Sequence, residues 1–214
     1  MRQLWYRFCR IWFRLYFYLY HRGRVYNAER LPAEGGFILA GNHVSFLDPP
    51  FFGLACRRDA YFLARDTLFR NPLANWILRS WHCVPINRDR GDIGAMKTVL
   101  RMLGEGKAVL MFPEGTRSDD GELQEPRAGI GMIVARAKVP IVPMRIFGTD
   151  RALPRGTSFP RPVRVEVKFG EPFTYPFPAD FEKLRGDAVK AIYLDIGREL
   201  MRRIAALEPQ TDPA

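Results

Sequence analysis

Apolar runs and helical stretches take turns from residue 37 to residue 206, and that alternation leaves few folds open to the chain. Short apolar runs at Phe37–Ala40, Ala60–Ala64, Cys83–Ile86, Ala108–Phe112, Pro140–Ile146 and Val163–Phe169 read as strands. Asp48 precedes Pro49, and Asn71 precedes Pro72, each the pairing of an N-cap with a proline in the first turn. Asp92 opens a segment with Met96, Val99, Leu100 and Leu103 on one face, closed by Gly104. Residues 129–137 read as a short helix of small residues. Residues 179–206 read as a long one, with Phe181, Leu184, Ala188, Ile192, Ile196 and Leu200 near one stripe. The stretch 149–162 reads as a loop. Strand and helix in alternation predict a single α/β domain with a largely parallel central sheet flanked by helices.

Ahead of this domain stands a segment of another kind. Nine of residues 5–20 are aromatic. On a helical wheel Gln3, Arg7, Arg10, Arg14 and His21 share a sector of roughly 60°, and nearly everything else is apolar or amphipathic. Three arginines argue against a membrane-spanning helix, and no small-residue cleavage site follows to mark a signal peptide. Two readings stay open. One is an amphipathic helix lying in the membrane interface, with aromatics in the acyl boundary and arginines among anionic headgroups. The other is a helix packed on the protein's own core with snorkelling arginines. The first divides the chain into an interfacial anchor (1–22), an α/β domain (23–207) and a disordered tail (208–214).

The net charge of +10 favours an anionic partner: nucleic acid, an anionic membrane surface or a phosphorylated substrate. The strand-like runs suggest where such a partner meets the protein, because several of them empty into polar or cationic groups. Phe37–Ala40 leads into Asn42, His43 and Asp48. If the chain turns before Asp48, its carboxylate can reach His43, fix the tautomer and leave Nε2 to take a proton. The plainer alternative makes Asp48 an N-cap and His43 a turn residue. Ala108–Phe112 leads into Pro113-Glu-Gly-Thr-Arg-Ser118. There Gly115 permits a close backbone approach, Thr116 and Arg117 can donate to a phosphate, and Glu114 needs a hydroxyl or an arginine to hold. Cys83–Ile86 runs into Arg88, and Ala60–Ala64 into Arg65. Four strands delivering such groups to one sheet edge point to a site.

Rival chemistries fit less well. A nucleic-acid binder leaves His43, Asp48 and the Glu114–Ser118 loop idle, and no basic stripe with exposed aromatics marks one element outside the N-terminal helix. Gly41-Asn-His-Val-Ser-Phe46 is not the G-x-S-x-G of a nucleophile elbow, which removes Ser45 as a hydrolase nucleophile. No further His or Cys stands at metal-ligand spacing from His43 and Asp48, so no metal is expected.

Taken together, Asn42–Asp48 (N-H-x4-D), Val84-Pro-Ile-Asn-Arg88, Phe112-Pro-Glu-Gly-Thr-Arg-Ser118 and Val139-Pro-Ile-Val-Pro143 resemble the four blocks of the glycerolipid acyltransferase family. The likeness is to the bacterial 1-acylglycerol-3-phosphate (lysophosphatidate) acyltransferases of PlsC type, and the blocks span about residues 36–148. The resemblance implies transfer of a fatty acyl group from acyl-CoA or acyl-carrier protein to the free hydroxyl of 1-acylglycerol-3-phosphate, giving phosphatidic acid in phospholipid biosynthesis. It implies His43, oriented by Asp48, as general base, and an acceptor held by Asn42, Arg65, Arg88, Glu114, Gly115, Thr116 and Arg117. No cofactor beyond the acyl donor is implied, and the enzyme would sit peripherally on the cytoplasmic face of the membrane. An acyltransferase acting on another lysophospholipid or an aminolipid is the nearest alternative.

Overall fold

The computed structural model describes residues 2–86 and 93–210 and centres on a seven-stranded sheet. In chain order the strands are β1 (Arg24–Tyr26), β2 (Phe37–Gly41), β3 (Ala60–Arg65), β4 (Cys83–Ile86), β5 (Ala108–Met111), β6 (Ile141–Phe147) and β7 (Glu166–Phe169). Their order across the sheet is β1-β7-β6-β2-β5-β3-β4, and every neighbouring pair is parallel except β6 with β7. The α-helices are α1 (Arg2–Leu15), α2 (Asp48–Ala55), α3 (Pro72–Ser80), α4 (Ile93–Gly104), α5 (Ala128–Ala137), α6 (Thr149–Ala152) and α7 (Gly186–Ala205).

The side-chain period of two splits the core into two layers. Phe37 and Leu39 of β2 join Ala108 and Leu110 of β5 in one layer with Phe51 and Phe52 of α2. Ile38, Ala40 and Val109 join the other, under Met96 of α4, Ile130 of α5 and Ile196 of α7. Both faces are covered, which is why these strands read as unbroken apolar runs. β2 and β5 lie side by side in register from Phe37↔Ala108 to Ala40↔Met111. Yet β2 leaves into α2 on one face and β5 into α5 on the other. The connections part there and open a crevice beyond the two carboxyl ends.

Several elements depart from the sequence reading. The strand expected from Val163 starts at Glu166, because the Val163 carbonyl faces His21 Nδ1 at 3.0 Å and the Val165 amide donates to the His21 carbonyl. β1 was not foreseen; three residues are too few to show a period. The long C-terminal helix is two elements, a 3-10 turn at Phe181–Lys183 and then α7. Asn71 caps α3 as expected, accepting from the Leu73 and Ala74 amides. Asp48 does not cap α2: Leu47 takes that position, and the Asp48 carboxylate turns back upstream. Residues 208 and 210 are tied to β7, Glu208 through its carbonyl to Lys168 Nζ and Gln210 through its amide to Glu166 Oε2. The expected loose tail is therefore held at its start, and residues 211–214 lie outside the described residues.

The N-terminal segment uses two faces. α1 continues into a π-helical turn, Tyr16–Tyr20, whose Phe17 is fully buried in the first core layer. Phe13 packs on Trp81 (ring centroids 4.4 Å) and Trp5 on Trp76 (4.8 Å). Phe8, Ile11, Trp12, Leu15 and Leu19 point outward and are exposed. Arg10, expected among headgroups, turns inward to the Cys56 carbonyl and lies 3.6 Å from Asp59, while Arg14 stays exposed. A helix with one apolar face on the core and another facing out explains a wheel with only a narrow polar sector. Among the described residues no helix is long and apolar enough to cross a membrane.

Candidate active site

At the carboxyl end of β2 the chain turns through residues 42–47 and brings His43 onto Asp48. Nδ1 lies 2.9 Å from Oδ2. Because a carboxylate only accepts, Nδ1 carries the hydrogen and Nε2 keeps its lone pair. Asp48 is fully buried, and four donors converge on it. The Val44 and Ser45 amides each lie 2.7 Å from Oδ2, and the Thr149 hydroxyl donates to Oδ1 at 2.6 Å. Such a cage offsets the cost of burying a carboxyl group and leaves it one orientation. His43 itself keeps 17% side-chain exposure. Phe112, just beyond β5, stacks against the imidazole at 4.0 Å with 15° between planes, fixing the ring from its face.

The loop after β5 closes the other side of the crevice. Gly115, at φ +71°, turns it sharply, and a Cβ there would strike the Arg127 side chain at 2.7 Å. Arg127 in turn donates to the Glu114 carbonyl. The Ser118 amide donates to the His43 carbonyl at 2.8 Å, and the Arg117 guanidinium lies 3.6 Å over the Phe46 ring. The two loops therefore interlock by backbone and side chain. Burial lowers the pKa of Arg117, and the neighbouring charge of Arg155 lowers it further, against the opposing pull of Asp48. Arg155 is itself ion-paired with Asp119, so Arg117, stacked on Phe46, is the guanidinium this loop offers an anion.

Glu114 is only 2% exposed, and neither carboxylate oxygen has a hydrogen-bond partner among the described residues. Burial pushes its pKa from 4.5 to about 7; the Asp48 charge adds to the rise, and the His43 backbone amide, near but outside proper hydrogen-bond geometry, opposes it only in part. The folded state favours the protonated form. The penalty therefore grows as pH rises from 4.5 toward 7 and is complete above that. Glu114→Gln is expected to raise stability at pH 8 by on the order of 2 kcal/mol and to change it little at pH 4. Thermal unfolding at the two pH values checks this; an equal effect at both would assign the gain to packing instead.

The structure gathers His43, Asp48, Glu114, Gly115 and Arg117 at the β2–β5 crevice, with Thr116 exposed on the same loop. Arg65 ends β3, the strand beside β5, and is exposed at the same sheet edge. Arg88 lies outside the described residues. Asn42 is engaged elsewhere: its amide donates to the Ile146 carbonyl and accepts from the Ile146 amide, pinning the end of β2 to β6. Four participants escaped the sequence reading. Thr149 stands 101 residues from Asp48 and reaches it only because β6 pairs with β2. Gly148, at φ +86°, makes the turn that places it; a Cβ there would lie 2.2 Å from the Arg164 carbonyl. Arg127 and Arg155 carried no motif. Beside the site lies a groove of about 270 Å³ lined by Leu63, Met96, Val99, Met111, Ile130 and Ile133, which meets the His43 pocket at Phe112 and Gly115.

Comparison with known proteins gives a consistent picture. The model of the family described as Acyltransferase matches residues 22–147. Over 209 residues the chain is 29% identical to the 1-acyl-sn-glycerol-3-phosphate acyltransferase of Bacillus subtilis, covering 97% of this chain and 98% of that protein. It is 29% identical over 153 residues to the chloroplastic 1-acyl-sn-glycerol-3-phosphate acyltransferase BAT2 of Brassica napus, covering 70% of this chain and 44% of that one. The chain thus spans less than half the length of that plant relative. The crystal structure of the 1-acyl-sn-glycerophosphate (LPA) acyltransferase PlsC from Thermotoga maritima has a TM-score of 0.73 at 25% identity, over 98% of this chain and 82% of that one.

Proposed function

Because this chain belongs to the acyltransferase family, of PlsC type, we propose that it transfers a fatty acyl group to the free hydroxyl of 1-acylglycerol-3-phosphate. The observation that carries this reading is the His43–Asp48 contact, set beside the Arg117 loop and an apolar groove. His43 Nε2 takes the proton of the acceptor hydroxyl as that oxygen attacks the thioester carbonyl of acyl-CoA or acyl-carrier protein. The new O–C bond forms, the C–S bond breaks, and the proton passes from His43 to the departing thiolate. No acyl-enzyme is needed. Asp48 orients the ring and stabilises the imidazolium in transit.

Arg117 supplies a cation for the acceptor phosphate, and the groove beside Phe112 is suited to an acyl chain. The Gly115 amide is already bonded to the Phe112 carbonyl, so another donor of the crevice must meet the oxyanion. Acceptor and product both live in a bilayer. The outward aromatic face of α1, the exposed Arg14 and the net charge of +10 support a site held at an anionic membrane surface.

Acyl transfer onto lysophosphatidate, with acyl-CoA and acyl-carrier protein assayed in parallel, tests the reading. Turnover with neither donor would overturn it. Within that assay Arg117→Ala is expected to raise KM for lysophosphatidate about 10- to 100-fold, the loss of a charge-assisted contact, and to change kcat much less. An equal loss with an uncharged acceptor would remove Arg117 from phosphate binding.

A further inference from the structure

Among the described residues, the most exposed of the large hydrophobic side chains is not on α1. It is Phe159, 85% exposed, in the loop between α6 and β7. That loop is strapped down along its length. At one end the Ser45 hydroxyl donates to the Leu153 carbonyl at 3.1 Å, and the Arg161 amide to the Ala152 carbonyl at 2.7 Å. At the other, the Tyr20 hydroxyl donates to the Pro160 carbonyl at 2.9 Å, and His21 pairs with Val163 and Val165. The loop thus runs from the turn that carries the His43–Asp48 pair to the last turn of the N-terminal helix. Bonds on both sides of the tip keep Phe159 from folding back onto the domain.

A single exposed phenylalanine is ordinary. This one stands in a loop bonded to the exposed Tyr20, which follows the exposed Leu19, and to Ser45, which precedes the exposed Phe46. Its surroundings are cationic, since residues 151–164 contain four arginines and no carboxylate. Arg155 is paired with Asp119, and Arg151 and Arg161 are exposed. Arg164 pairs with Glu166, and an aromatic tip flanked in sequence by the exposed Arg151 and Arg161 suits one partner, the interface of an anionic bilayer.

We propose that the 153–163 loop is a second lipid-contact element. Phe159 enters the acyl boundary while Arg151 and Arg161 stay among the headgroups, and loop and α1 together set the crevice mouth against the membrane. The proposal rests on the reading that this site works on a bilayer-borne acceptor. It makes the loop a separate contact, fastened through Ser45 to the turn that holds the dyad.

Partitioning of the full chain onto phosphatidylglycerol vesicles, measured by co-sedimentation without substrate, tests it. Phe159→Ala is expected to weaken partitioning about tenfold, as loss of a largely buried ring would. Phe159→Asp should weaken it further, and Phe159→Trp should retain wild-type binding, with thermal unfolding unchanged in all three. Ile11→Asp, on the outward face of α1, is the benchmark. If Ile11→Asp weakens partitioning and Phe159→Ala does not, the loop proposal is wrong and the anchoring role of α1 stands. If neither does, both fail, whatever the acyl-transfer assay shows. If Phe159→Ala leaves partitioning intact but lowers the sedimenting mass of the protein in solution, the tip contacts a second copy and not lipid, which also overturns the proposal.

Discussion

Replacing His43 by alanine is expected to lower kcat for acyl transfer about 10³-fold while leaving the protein folded. The size follows from the role: a positioned general base contributes roughly 10²- to 10⁴-fold, and no second base stands ready. Among the described residues Glu114 is the nearest rival, but neither of its oxygens has a hydrogen-bond partner that would aim it at a substrate. Folding survives because the ring is partly exposed and Asp48 keeps three of its four donors, the Val44 and Ser45 amides and the Thr149 hydroxyl. The lost stack on Phe112 and one hydrogen bond amount to about 1–2 kcal/mol. Steady-state turnover beside a thermal melt separates the two effects. Residual activity above about a tenth of wild type would take His43 out of the base role, since no positioned base contributes so little.

What the sequence disclosed and what it withheld divide along a physical line. β2 and β5 were legible because burial on both faces leaves each an unbroken apolar run, and strands of that kind alternating with helices imply the parallel sheet. The meeting of the His43 turn with the Glu114–Ser118 loop followed from the topology such a sheet imposes. Contacts across long separations were not legible. Thr149 carries no local signal of its bond to Asp48, and β1 becomes a strand only because β7 lies beside it. The N-terminal helix posed two alternatives, core packing or a membrane face. Phe17 answers to the first, while Leu15 and Leu19 leave an apolar face for the second, and composition could not divide the residues between them. Asn42 shows the reverse error of inference. It neighbours the dyad in sequence, yet both ends of its amide serve the backbone of β6.

Asp48 separates electrostatics from architecture in a way His43 cannot. Asp48→Ala removes the acceptor from four buried donors at once, so a loss of about 4 kcal/mol is expected even if some donors find other partners. For a chain of this size that is a fall in Tm of roughly 8–16 °C. Asp48→Asn should behave otherwise. Its amide oxygen can accept from the Val44 and Ser45 amides and from His43 Nδ1, while its NH2 donates to the Thr149 hydroxyl, which accepts as readily as it donates. The buried Thr149 O–H loses its acceptor in the exchange, so stability should fall by about 1–2 kcal/mol, well short of the loss in Asp48→Ala. What disappears is the negative charge behind the imidazolium that forms as the hydroxyl is deprotonated. Turnover is therefore expected to drop by about 10²- to 10⁴-fold in a protein that melts nearly where wild type does. Measuring kcat and Tm for both variants decides the matter. If Asp48→Asn lost activity only in step with its stability, Asp48 would be holding the turn together and the charge would have no part in the transfer.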